Sequence, residues 1–281
     1  GSLTVAAYLA TSDVTTVGGD WTVAAFTHNG GTASFSGAGA VSGGPFWNLT
    51  VSAATRTLAG DITVLSNAAI AAGAVLDGGA FTLSVGGSWT NAAGAPGYTA
   101  AGGAVAFIDG AKTSTVSGST TFVNLTSTAA GKPLRFASGA AQTITGTLTL
   151  QGAAGNPVSL RSTNTGLPWL LNVSGSAAVS YVTARDSDAS GGIQITAVNS
   201  TDEGGNTNWY FGPAHVLRTW LGGAAGLETD WFTAANWSPA GVPASADDAL
   251  IPAGRTHYPS LTAAVPSLRH LTIEAGDRKS T

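Results

Sequence analysis

The chain has 281 residues, and its 11 Lys or Arg and 15 Asp or Glu make a charged fraction of 9%, against the ~25% of an ordinary globular protein. A formal net charge of −4 with so few cations leaves no electrostatic footprint for nucleic acid, and the absence of Cys excludes a disulfide framework or a thiol site. Hydrophobic residues at 43% suffice for a core, yet no apolar run approaches the ~18 residues of a membrane helix, so no membrane span is expected.

Gly1-Ser2 opens directly into Leu3-Thr4-Val5, without the basic start of a signal peptide. Short strand-like pieces then recur along the chain: Asp61-Ile62-Thr63-Val64, Phe81-Thr82-Leu83-Ser84-Val85, Gly146-Thr147-Leu148-Thr149-Leu150 and Ile193-Gln194-Ile195-Thr196. Each alternates apolar residues with Thr, Ser or another polar residue, the period-two pattern of a strand with one face buried. Gly, Ala-Gly, Gly-Gly or Asn-Gly follows almost every piece and marks a tight bend. Helical spacing of apolar residues is scarce, so the expectation is an all-β chain of many short strands.

An internal repeat points to a solenoid. Gly18-Gly19-Asp20-Trp21-Thr22 matches Gly86-Gly87-Ser88-Trp89-Thr90, Thr32-Ala33-Ser34-Phe35 matches Ala104-Val105-Ala106-Phe107, and Phe46-Trp47-Asn48-Leu49-Thr50 matches Phe122-Val123-Asn124-Leu125-Thr126. The spacing implies several rungs of about 20 residues in each repeat. A right-handed parallel β-helix explains the pattern: Thr, Val, Ile and Leu stack in ladders, small residues take the corners, and the walls need no charge. Trp21 and Trp89, at equivalent repeat positions, are expected in the core or at corners. The competing fold is a β-sandwich, for which Asn29-Gly30 and Asp77-Gly78 would supply hairpin turns.

A boundary is expected near residue 212, with a β-solenoid over 1–212 and a small Trp-rich β module over 213–281. Charge density rises there from about 7% to about 16%. Asn208-Trp209-Tyr210-Phe211-Gly212-Pro213 reads as an aromatic cap over the end of the solenoid, since terminal coils must cover their core.

Within the second segment stand Thr219-Trp220, Asp230-Trp231, Ala235-Asn236-Trp237-Ser238, Gly241-Val242-Pro243, Asp247-Asp248 and Ile251-Pro252. This succession resembles the Trp-rich modules of large bacterial cell-surface and secreted repeat proteins of the adhesin or autotransporter kind. The repeat over 18–126 is similar to β-helical repeats of the same proteins. The resemblance implies an extracellular or cell-surface location and a structural or adhesive role, and names no ligand. It also implies that Leu271-Thr272-Ile273-Glu274-Ala275-Gly276 opens another solenoid stretch, from which Asp277-Arg278-Lys279-Ser280-Thr281 departs.

Residues able to carry chemistry are few. Arg185-Asp186-Ser187-Asp188 and Asp202-Glu203 form the acidic cluster of the first segment. On a strand Asp186 and Asp188 would face one side, as a Ca2+ site or as the paired carboxylates of a glycan-degrading β-helix enzyme; the plainer reading is a polar loop. Asp247-Asp248, between Pro243 and Pro252, reads as an exposed turn, with a metal site as the alternative. His28, His215, His257 and His270 lack metal-ligand spacing. Trp220, Trp231 and Trp237, with Tyr258, are either the core of a small module or a platform for stacking sugars. Asn48, Asn124, Asn172, Asn199 and Asn236 begin Asn-x-Ser/Thr triplets, and Asn48 and Asn124 read as structural corner residues. The expectation is therefore a non-enzymatic scaffold or adhesive segment without a cofactor. It would be able to assemble with copies of itself head to tail into a fibre or to hold a glycan or other surface ligand, with a glycan-binding or glycan-degrading β-helix as the alternative.

Overall fold

The computed structural model describes residues 1–213 and 216–274; His215, Ala275-Gly276 and the 277–281 segment lie outside the described residues. The chain divides into two compact units, Gly1–Phe211 and Gly212–Thr281.

The first unit is a parallel β-helix. Its opening coils carry two principal strands each. Leu3–Leu9, Trp21–Thr27 and Gly39–Gly43 pair in turn on a first face, and Val14–Val17, Thr32–Phe35 and Asn48–Val51 on a second. A third face begins where Phe46 bridges to Val64, and continues through Ile62–Val64, Thr82–Val85 and Ala104–Phe107. The third corner grows out of a kink already present upstream. In Trp21–Thr27 the inward alternation slips at Ala24-Ala25, so that Trp21, Val23 and then Phe26 are buried. One coil later Gly43 completes the break: its φ is +87°, and a Cβ there would lie 2.0 Å from the Val23 carbonyl oxygen. Only glycine fits that combination.

The second face is a 10-stranded sheet and the third an 8-stranded sheet. The first face holds 6 strands, and a separate 4-stranded sheet then takes its place in the order of faces. All pairs between strands of this unit are parallel, so the sandwich alternative falls. Asn29-Gly30 and Asp77-Gly78 turn the chain from one face to the next within a coil rather than closing hairpins. A coil is shortest between Ile195 and Trp209 and longest between Leu148 and Ala177, because corner loops vary while the paired rungs do not.

One apolar core runs from Ala10 to Ala197. Trp21 sits in it among Tyr8, Phe26, Phe35 and Phe46, with ring centroids 5.0–6.1 Å away. Trp89 packs on Tyr98 and Phe122, and Trp169 stacks on Phe136 at 3.9 Å. Both repeat tryptophans are thus core, but the repeat itself does not map onto equivalent positions. Trp21 belongs to the first face and Trp89 to the second; Thr32–Phe35 and Asn48–Val51 belong to the second, and Ala104–Phe107 and Asn124–Ser127 to the third. The matched segments are offset by whole coils plus one face. Each face asks for the same inward alternation, so one motif serves on any of them. At the far end, Trp209–Phe211 is the last strand of the third face, and Trp209 and Phe211 stack at 5.6 Å against the core.

The second unit is a small mixed sheet. Leu217–Trp220 pairs antiparallel with Trp237–Ser238 and parallel with Asp248–Ile251, which pairs parallel with His270–Ile273. Its core is Trp220, Trp231, Trp237, Ala249 and Ile251, with Tyr258 partly buried against it.

Candidate functional site

The acidic residues come apart in the folded chain. Asp186 has φ +56° and turns the corner between Val182–Arg185 on the second face and Ser187–Asp188 on the next. This corner corrects the expectation that Asp186 and Asp188 share one side of a strand. Asp186 is buried, and its Oδ2 accepts the Gly166 N–H at 3.0 Å. Asp188 Oδ1 accepts the Ser190 N–H at 2.9 Å, and hydrogen bonds from Ser190 hold its carboxyl below the usual carboxylate range. Asp202 Oδ1 accepts from the Gly204 N–H at 2.8 Å and from Asn206 Nδ2 at 2.6 Å, while Glu203 pairs with Arg161. Each carboxylate thus serves its own turn or ion pair. Among the described residues no group of three or more Asp, Glu, His or Cys side chains converges as a cation site would require.

The tryptophans of the second unit also have other work. Trp220, Trp231 and Trp237 are at most 2% exposed and meet edge to face at 5.0 and 4.7 Å. Trp220 Nε1 donates to the His257 carbonyl and Trp237 Nε1 to the Trp231 carbonyl. Their faces are covered, so they build the module's core and offer no platform to a sugar. Asn236 is fully buried, its Nδ2 donating to the Leu227 and Asp230 carbonyls and its Oδ1 accepting the Ala224 N–H. Asn48 and Asn124 are corner residues as expected. Asn124 Nδ2 donates to the carbonyls of Gly102 and Gly103, and its Oδ1 accepts the Thr147 N–H. Asp247-Asp248 is not an exposed turn. Asp247 is buried and pairs with Arg218 at 3.0 Å, and Asp248 pairs with Arg269. These pairs tie the starts of neighbouring strands together, which explains two adjacent acids in a chain so poor in charge.

Two features escaped the sequence. The first is a shallow groove of about 340 Å³ lined by Trp47, Leu65, Ile108, Asp109 and Lys112 with two glycines. The Trp47 ring packs on His28 at 5.5 Å and under the Lys112 ammonium at 5.0 Å. Lys112 also donates to the Leu65 carbonyl and pairs with Asp109 at 3.2 Å. That hydrogen bond holds the Asp109 carboxyl below its ordinary range. Lys132 is fully buried beside the groove, and its Nζ donates to the carbonyl oxygens of Gly86, Asp109 and Lys112 at 2.9–3.0 Å. Among its lining residues Asp109 is the one carboxylate, whereas glycoside cleavage takes two.

The second feature is a column of arginines on the second face. In-register pairing sets Arg135 against Arg161 and Arg161 against Arg185, in three consecutive coils. Their neighbours Leu134, Leu160 and Ala184 point into the core, so the arginines point outward. The signal was present in Pro133-Leu134-Arg135, Ser159-Leu160-Arg161 and Thr183-Ala184-Arg185. The unequal coil lengths hid it. No helix among the described residues is long and apolar enough to cross a membrane. A scan against protein-family models, a search of the curated proteins and a search of the solved structures each return no match.

Proposed function

We propose that this chain is an extracellular segment of a bacterial surface protein, a non-enzymatic rigid scaffold with adhesive surfaces. The observation that carries the reading is the unbroken 10-stranded parallel ladder of the second face and the single core of the first unit, which make a stiff, repetitive rod rather than a walled pocket. The resemblance of the Trp-rich module to those of bacterial surface proteins supports the location. So does the lack of Cys and Met, which leaves no sulfur to oxidise. Assembly with further copies is part of the proposal. Leu3–Leu9 is an edge strand with Leu9 exposed, and His270–Ile273 is an edge strand with Leu271 and Ile273 exposed. Unpaired strand edges template pairing with another chain.

Protease treatment of intact source cells, followed by mass spectrometry of the released peptides, tests the location. Peptides of this chain should be shed while cytosolic markers stay inside; recovery only after lysis would overturn the reading. Light scattering over a concentration series tests assembly, and a constant monomer mass up to high concentration would remove it.

A further inference from the structure

The first unit contains only six cations, Arg56, Lys112, Lys132, Arg135, Arg161 and Arg185. Arg56, through Nη1 and Nη2, and Lys132 are buried and donate to backbone carbonyls, and Lys112 is committed to Asp109 and Leu65. The remaining three form one column, each directly opposite the next. Like charges placed opposite one another across a ladder destabilise it. Arg161 finds a partner in Glu203, and Arg185 Nε lies 3.6 Å from Asp186 Oδ2. Arg135 and Arg185 are exposed, and the Arg135 side chain has no hydrogen bond or ion pair among the described residues. A chain this sparing of charge thus concentrates half of the unit's cations where they repel, with two of the three open to solvent.

We infer that the Arg135–Arg161–Arg185 column binds a linear acidic polysaccharide along the axis of the β-helix, and so supplies the ligand of the adhesive role proposed above. Three properties select that ligand class. Adjacent rungs stand about 4.8 Å apart, so the two exposed arginines, Arg135 and Arg185, are about 9.6 Å apart, and in an extended chain whose successive sugars are turned over the carboxylates of every second sugar face the column at a comparable spacing. The guanidinium fork matches a carboxylate in two parallel hydrogen bonds. Pro133, Ser159 and Thr183 form the neighbouring outward column, and the last two bring hydroxyls beside the arginines for the sugar's own hydroxyls.

The test is affinity electrophoresis and calorimetry of the whole chain with polygalacturonate, its fully methyl-esterified form, and sulfated dextran. Polygalacturonate should bind, more weakly as salt is raised, and the neutral ester should not. Sulfated dextran should bind less tightly than the polyuronate if carboxylate spacing is what the column reads. Arg135→Gln with Arg185→Gln should lower polyuronate affinity at least tenfold while the thermal transition stays in place. Both residues are exposed, so neither substitution opens the core. Lys112→Gln should leave affinity within twofold. No binding at low salt, equal binding of the ester, tighter binding of the sulfated polymer, or an equal loss from Lys112→Gln would each overturn the inference. None of these results touches the location read by protease treatment, so this inference and the scaffold reading fail separately.

Discussion

Arg56 and Lys132 show what a nearly uncharged wall does with a cation. Arg56 is fully buried; its Nη1 donates to the Gly19 carbonyl at 2.7 Å and its Nη2 to the Gly37 carbonyl at 2.7 Å, with the guanidinium 4.6 Å above the Phe35 ring. Burial lowers its affinity for the proton, and Asp20 opposes that. Lys132 does the same across three coils. The walls therefore do use charge, as internal clamps on corner carbonyls. Replacing Lys132 with Met keeps volume but removes the side-chain donor from three carbonyls, of which that of Asp109 keeps the Lys112 N–H, and should cost about 2–4 kcal/mol in urea denaturation at pH 7. Burial also pushes the Lys132 ammonium down to about 8, against 10.5 for the free side chain. Between those values the unfolded chain holds more protons than the folded one, so stability from this residue rises with pH. The gap between wild type and Lys132→Met should widen from pH 8 to 10 by at most about 3 kcal/mol; a gap that narrows would refute the sign. Asp247 runs the other way. Burial would raise its pKa, but the N–H groups of Ala244 and Val216 and the Arg218 side chain overcome this and lower it. Its contribution is present above the ordinary carboxylate range and is lost as pH falls through its folded value. Asp247→Asn should therefore cost the second unit roughly 1–3 kcal/mol at pH 7 and almost nothing in strong acid, read from paired denaturation curves.

At the scale of the coil, corners rather than strands carry the specificity. Any strand here is an apolar–polar alternation, interchangeable between faces, as the displaced repeat shows. A corner has to bring two backbones close. Gly175 stacks on Gly146 so tightly that a Cβ would sit 1.8 Å from the Gly146 carbonyl oxygen, and Gly146 in turn lies under Asn124 Oδ1. Ser176 N–H donates to that same Gly146 carbonyl at 2.8 Å, so a shift there breaks the first bond of the strand Ser176–Ser180. Gly175→Ala should destabilise the coil by about 2–3 kcal/mol, with hydrogen exchange accelerated first over 176–180. Uniform acceleration over the whole first unit would instead mean that coils do not open separately.

The whole molecule consists of two units with separate apolar clusters, one from Ala10 to Ala197 and one around Trp220, Trp231 and Trp237. Separate cores melt separately, so calorimetry should resolve two transitions. Trp231→Ala removes a buried ring from the smaller cluster and should cost about 3–5 kcal/mol, enough to abolish the second unit's transition. The first unit's transition should not move. A single merged transition in wild type, or a fall in both on substitution, would show that the units fold as one.

Period-two alternation, glycine at nearly every bend, scarce charge and the shift in charge near residue 212 were enough for an all-β solenoid followed by a distinct module. Each is a local property: side-chain alternation sets the strand, and glycine sets the bend, whatever lies in the next coil. What the tertiary structure alone decided is which residues meet across coils. Arg135, Arg161 and Arg185 form a column, Lys132 reaches back to Gly86, Asp186 and Asp188 part at a corner, and Asp247 finds Arg218. The reason is physical. Register between coils depends on the length of every intervening corner loop, and those loops vary. The partner of a given residue is therefore not at a constant distance along the chain.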